Sequence, residues 1–223
     1  MRLPLLALSL CALVVLTAPG VGQDKEKEKP KAGDDGGKDL PGPFHPYNVT
    51  GQFGERPDPK EKGKELKGNF HCPVSDTNLD PGVLVFIHEV KFEPALVELL
   101  QKLDAAVEKN PGVRLHVTAV FYSDSLPEVV GTDDKDDDAR EKFAAELRAR
   151  AADLKLKHVV LSLGGARDDE LNAYLKDKNA DVTIYGYRKF HIEFEYALTN
   201  AQLAEKLKAV LTDVADKLGA KRQ

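Results

Sequence analysis

VLVFIHEVKFEPALVELLQKLDAAVEKNPGVRLHVTAVFY, residues 83–122, is the stretch that decides the fold. Val83 to His88 is a continuous apolar run behind the turn signal Asp80-Pro81-Gly82, which predicts a strand covered on both faces. Pro94 suits the first turn of a helix, where its missing N–H has no partner to lose. Leu96, Leu99, Leu100, Leu103 and Val107 recur at helical spacing, and Asn110-Pro111-Gly112 stops the helix. Leu115 to Tyr122 is a second buried strand. Two such strands joined by one helix make a parallel crossover, so the centre of the sheet is parallel.

Toward the C-terminus the alternation continues. The loop GTDDKDDDAR, residues 131–140, leads into a helix opened by a capping-box pattern, Asp138 with Glu141, and striped by Phe143, Leu147, Ala151 and Leu154. His158 to Leu163 is a third strand, and Asp168 to Lys176 a short helix. Val182 to Tyr187 leads through Arg188-Lys189 into Phe190 to Ala197. There Phe190, Ile192, Phe194 and Tyr196 are expected on one face and His191, Glu193 and Glu195 on the other, an antiparallel strand with one wet face. Thr199 with Gln202 caps a last helix whose stripe is Leu203, Leu207, Val210, Leu211, Val214 and Leu218. The order β-α-β-α-β-α-β-β-α over residues 70–219, with a tail at 220–223, predicts an α/β three-layer sandwich with a mixed central sheet.

The rest of the chain bears on location. Arg2, the apolar run Leu5 to Thr17 and the small residues Ala18, Gly20 and Gly22 make residues 1–23 a secretory signal, too short in its apolar core for a comfortable span. An uncleaved N-terminal anchor is the rival reading. Export places the mature protein in a periplasmic or extracellular space. Residues 24–43 are expected as a disordered charged spacer. Ten basic and ten acidic residues between Asp24 and Lys67 leave it without a field to hold a membrane or polyanion. Residues 44–69 are an extended segment leading into the domain, with Pro43 to Phe53 as a short edge strand and Asn48-Val49-Thr50 matching a glycosylation sequon. A net charge of −5 argues against nucleic acid as a partner, and a cleaved signal leaves no stable membrane insertion. Cleavage also removes Cys11. One thiol, Cys72, then remains, with no second cysteine to resolve a mixed disulfide.

Three segments carry a resemblance: Tyr47-Asn48-Val49-Thr50-Gly51, Gly68-Asn69-Phe70-His71-Cys72-Pro73-Val74-Ser75 and Lys178-Asn179-Ala180-Asp181-Val182-Thr183. With the element order, they make the chain similar to the thioredoxin-like superfamily in its peroxiredoxin-like topology. More narrowly it resembles exported thioredoxin-like proteins of planctomycete type with a degenerate CxxC. The resemblance implies a thioredoxin fold and no established activity. It also implies where chemistry would lie: thioredoxins carry the reactive cysteine after the first core strand, at a helix start. That stretch here reads His88-Glu89-Val90-Lys91-Phe92-Glu93-Pro94, and Val182 stands where those enzymes place a cis-proline. The peroxidatic cysteine and threonine of a peroxiredoxin are missing as well. The expectation is a binding or interaction module for an unknown protein partner, not a dithiol oxidoreductase.

The candidate thiol is Cys72, with His71 and Ser75 beside it. Read functionally, it is a monothiol for redox or thiol-capping work; read structurally, it is a small packed residue in a turn. A periplasmic soft-metal site would draw on His71, Cys72 and His88, without a supporting ligand spacing. His116 and His158 read as core histidines, and His191, Glu193 and Glu195 as a wet strand face. Asp133, Asp134, Asp136, Asp137 and Asp138 lack the glycine and terminal glutamate of a calcium loop. No cofactor fingerprint is present, so no cofactor is expected.

Overall fold

A computed structural model describes residues 38–51, 69–77, 79–124, 126, 137–166 and 168–220. The expected signal, most of the spacer and Asp133, Asp134 and Asp136 lie outside them. Among the described residues, seven strands form one mixed sheet: β1 (Tyr47–Asn48), β2 (Asn69–Phe70), β3 (Gly82–His88), β4 (His116–Ser123), β5 (Val159–Gly165), β6 (Val182–Arg188) and β7 (His191–Leu198). Their spatial order is β2-β1-β5-β4-β3-β6-β7. β3, β4 and β5 are parallel, and β6 and β7 return antiparallel on one side. On the other side β1 and β2 add antiparallel strands. A parallel core of crossovers closed by a hairpin and a terminal helix is the thioredoxin-like arrangement.

Alternation along the central strands divides the apolar residues between two layers. Val83, Val85 and Ile87 of β3 face one way with Val117, Ala119 and Phe121 of β4. They are covered by α2 (Pro94–Lys109), α3 (Asp137–Asp153) and α5 (Asn200–Leu218), through Leu99 and Leu103, Ala144 and Leu147, and Leu203 and Val210. Leu84 and Phe86 face the other way with Val120 and Tyr122. Among the described residues, no long helix covers that second layer. It is closed by Val74 of the one-turn α1 (Pro73–Asp76), Leu171 of the short α4 (Asp169–Asn172), and Leu40 and Phe44 from the N-terminal side. Large side chains, Tyr174, Tyr185 and Tyr187 among them, fill the space that short elements leave.

Local signals act as their chemistry dictates. Pro94 opens α2, Thr199 and Gln202 complete a reciprocal capping box on α5, and Gly219 ends that helix at φ +79°. Asp104 is buried in α2, and its Oδ1 accepts the N–H groups of Lys157, His158 and Val159 at 2.9, 2.7 and 2.9 Å. It thereby ties the start of β5 to a helix more than fifty residues earlier.

Five expectations need correction. The spacer does not extend to residue 43: Leu40 is buried, its N–H reaches Phe190 O at 2.9 Å, and Ile192 N–H reaches Lys38 O at 2.7 Å. The apolar Leu40 and Phe44 draw this strap onto the second layer. β1 is not an edge strand, because β2 pairs outside it. α3 begins at Asp137, so Asp138 lies within the helix, and Glu141 forks the Arg148 guanidinium. His116 and His158 are exposed, since they stand at strand entrances beyond the helix cover; His116 lies 3.6 Å from Asp80. In β7 the simple alternation breaks. A bulge between Gly186 and Tyr187 pairs Ile192 with Tyr187 on the second layer, while Phe194 packs in the first.

Candidate functional site

Cys72 precedes α1 and caps it. Its backbone is extended, Pro73 takes the first helical position, and Sγ accepts the Ser75 N–H at 3.4 Å. Pro73 explains the turn, since its fixed φ is preorganised for a first helical residue. Cys72 is only 5% exposed and packs with Val74 among the residues of the second layer. The packed-turn reading of Cys72 holds, and the turn it occupies is the cap of a single-turn helix. Ser75 contributes its backbone, and its side chain lies in solvent.

His71 Nδ1 lies against Asp76 Oδ2 across α1. Around this turn, the YNVTG segment acts as a brace. Buried Asn48 donates from Nδ2 to His71 O at 3.2 Å, and its Oδ1 accepts from Ser162 Oγ at 2.7 Å. Thr50 Oγ1 accepts the Leu161 N–H at 2.8 Å. Both polar residues of the sequon are therefore engaged inside the protein. His88 is elsewhere: it ends β3, its ring centroid lies 5.3 Å from that of Tyr122, and its Nε2 lies 3.9 Å from Glu89. The three soft-metal candidates thus have separate partners. Among the described residues, no group of three metal-capable side chains converges.

The junction of β3 and α2, where the resemblance implies a reactive cysteine, has its own constellation. Glu89 adopts φ +69°, a left-handed conformation unusual for a residue with a side chain. Its N–H donates to Tyr122 O at 2.8 Å, and its Oε1 accepts from Ser123 Oγ at 3.0 Å. His88 N–H donates to Asp181 O at 2.8 Å, and Asp181 Oδ2 accepts the Asn200 N–H at 2.8 Å. Burial, and then the Asp181 charge, push the Tyr122 hydroxyl up to about 12. These groups gather at the carboxyl ends of β3 and β4, the end of an open α/β sheet that receives ligands. Sequence reasoning missed Tyr122, Ser123 and Asp181 because no motif links them. Their order along the strands was the only signal.

No family model matches this sequence, and no curated protein matches it. Among solved structures, the chain is similar to a thiol:disulfide interchange protein DsbE from Chlorobium tepidum, at 9% identity and a TM-score of 0.46, over 80% of this chain and 97% of that one. It is also similar to a secreted Mycobacterium tuberculosis disulfide oxidoreductase, at 10% identity and 0.43, over 74% and 95%. A third likeness is to StoA from Bacillus subtilis, at 12% identity and 0.42, over 75% and 98%. At such scores and identities no chemistry passes to this chain from them. The thioredoxin-like assignment stands on strand order and direction.

Proposed function

We propose that this protein is an exported thioredoxin-like binding module that carries out no dithiol exchange. The observation that carries the reading is the state of Cys72: its sulfur is buried and engaged as the cap acceptor of α1. A thiol that exchanges disulfides must meet its partner's sulfur in line, and a buried sulfur does not. The β3–α2 junction supports the same reading. It holds a carboxylate, a hydroxyl, a phenol and an imidazole where thiol chemistry would need sulfur, and such groups recognise a partner through hydrogen bonds and charge. Export rests on the character of residues 1–23; recovery from a secreted fraction with a new N-terminus near residues 21–24 is the check.

The test is insulin reduction with dithiothreitol, run beside Cys72 labelling by an aromatic disulfide reagent. The expected result is no turnover above the reductant blank, and native labelling at least about tenfold slower than in urea, as for a buried inert thiol. Turnover above the blank, or native labelling as fast as in urea, would sink the binding reading and promote the monothiol one.

A further inference from the structure

We propose that the groove between α2 and α5 binds a single-chain anionic amphiphile of the fatty acid carboxylate class. The groove lies on the outer side of the first layer, away from Cys72, and the inference stands independently of the reading above. β6 is antiparallel to both β3 and β7, so those two strands point the same way. α2 and α5 follow them, and therefore pack side by side with the same polarity. The hollow between them has a volume of about 370 Å³. That is near the lower end of the range of small-molecule sites, roughly 300–1,000 Å³, and suits one acyl chain better than two.

The lining changes along the groove in the same sense on both walls. On α2, successive turns present Glu98, Lys102 and then Ala106. On α5, Lys208 is followed by Leu211 and Thr212, then by Val214 and Ala215. The charged groups thus gather toward the helix starts, and small or apolar side chains toward the helix ends. Ala220 closes the apolar end: Gly219 turns the chain at φ +79°, and Ala220 is only 1% exposed. The hollow exists because alanines stand at Ala106, Ala215 and Ala220, where larger side chains would fill it. Leu211 and Ala215 remain half-buried, so apolar surface is left for a ligand to cover.

This gradient selects the ligand. A wholly apolar molecule would leave the ammonium groups without a counter-charge, and a small anion would leave the alanine-lined end wet. A molecule with a charged head and one hydrocarbon tail satisfies both ends. The sign of the head follows from the count: two ammonium groups, Lys102 and Lys208, stand against the single carboxylate of Glu98. One positive charge is in surplus, so the head is an anion, and the Thr212 hydroxyl can donate to it as well.

Calorimetric titration of the full chain with dodecanoate, kept below its micelle concentration, tests the site. Saturable one-to-one binding is expected. Decanoate, two methylenes shorter, is expected to bind about fivefold more weakly, as partial burial of those groups requires. Dodecyltrimethylammonium, with the same tail and the opposite head, is expected to bind at least about tenfold more weakly than dodecanoate. Lys208→Glu reverses the surplus charge and is expected to cost dodecanoate at least about tenfold, whereas Lys208→Arg keeps the affinity. Ala215→Leu fills the apolar end and is expected to weaken dodecanoate by a similar factor. Lys208 is exposed and Ala215 half-buried, and circular dichroism confirms that the variants are folded. Absence of saturable dodecanoate binding, equal affinity for the cationic and anionic tails, equal affinity for the two chain lengths, or indifference to Lys208→Glu or Ala215→Leu overturns the proposal.

Discussion

At the scale of single residues, two close fits in the sheet pair a glycine with an aromatic ring. Gly186 lies opposite Phe194, and a Cβ on it would come within 2.1 Å of the ring; at Gly82 it would meet Tyr187 at 2.3 Å. Neither glycine is needed for its backbone conformation, so the requirement is space. Gly186→Ala is therefore expected to destabilise the protein by about 1–3 kcal/mol, the usual cost of overpacking. Adding Phe194→Ala should recover part of that loss, because the clash has gone. Urea unfolding of the two single variants and the double variant measures the coupling. Strict additivity would show that the ring does not press on the glycine.

Among the elements, the β6–β7 hairpin has a sequence that disagrees with its geometry. Lys189 and Phe190 form its two-residue turn at φ +51° and +70°, values that suit Asn-Gly far better. Phe190 is 40% exposed, so its side chain gives little in return. Lys189→Asn with Phe190→Gly is expected to stabilise the fold by about 1 kcal/mol, seen as a higher urea midpoint at unchanged slope. No gain would mean that the Phe190 ring contributes more packing than its exposure suggests. The same hairpin shows what sequence could and could not disclose. The buried parallel strands, the proline start of α2 and the capping box of α5 were legible because each depends on adjacent residues. The bulge was not, since Ile192 is apolar and fits either face; only pairing with Tyr187 decides it. Cys72 was legible as a lone thiol but not as a cap, because α1 is one turn long and carries no periodicity. The junction site was illegible for a further reason: Glu89, Ser123 and Asp181 meet only once three strands are aligned.

For the molecule as a whole, the asymmetry of its two layers has a thermodynamic consequence. Long helices cover the first; the second is closed by short elements and filled by hydroxylated rings, Tyr122, Tyr174, Tyr185 and Tyr187. Burial pushes the Tyr122 and Tyr187 hydroxyls up to about 12, and Tyr174 and Tyr185 rise for the same reason. On the first layer Tyr196 reaches about 12 through burial and its bond to Asp213. An unfolded tyrosine releases its proton near pH 10, as model phenols do, while these folded ones hold theirs. Between those limits the native state binds more protons than the unfolded one, so stability must fall as pH rises. Each such tyrosine contributes a slope of roughly 1.4 kcal/mol per pH unit across its window. The contribution is fully present below about pH 10 and is lost toward pH 12, with the slopes of several rings added. Alkaline titration followed by phenolate absorbance and far-ultraviolet circular dichroism is expected to show one cooperative step in which both signals change together. Phenolate absorbance rising near pH 10 while the helical signal stays intact would show instead that these rings reach solvent in the folded protein, and that the second layer is less tightly closed than its packing indicates.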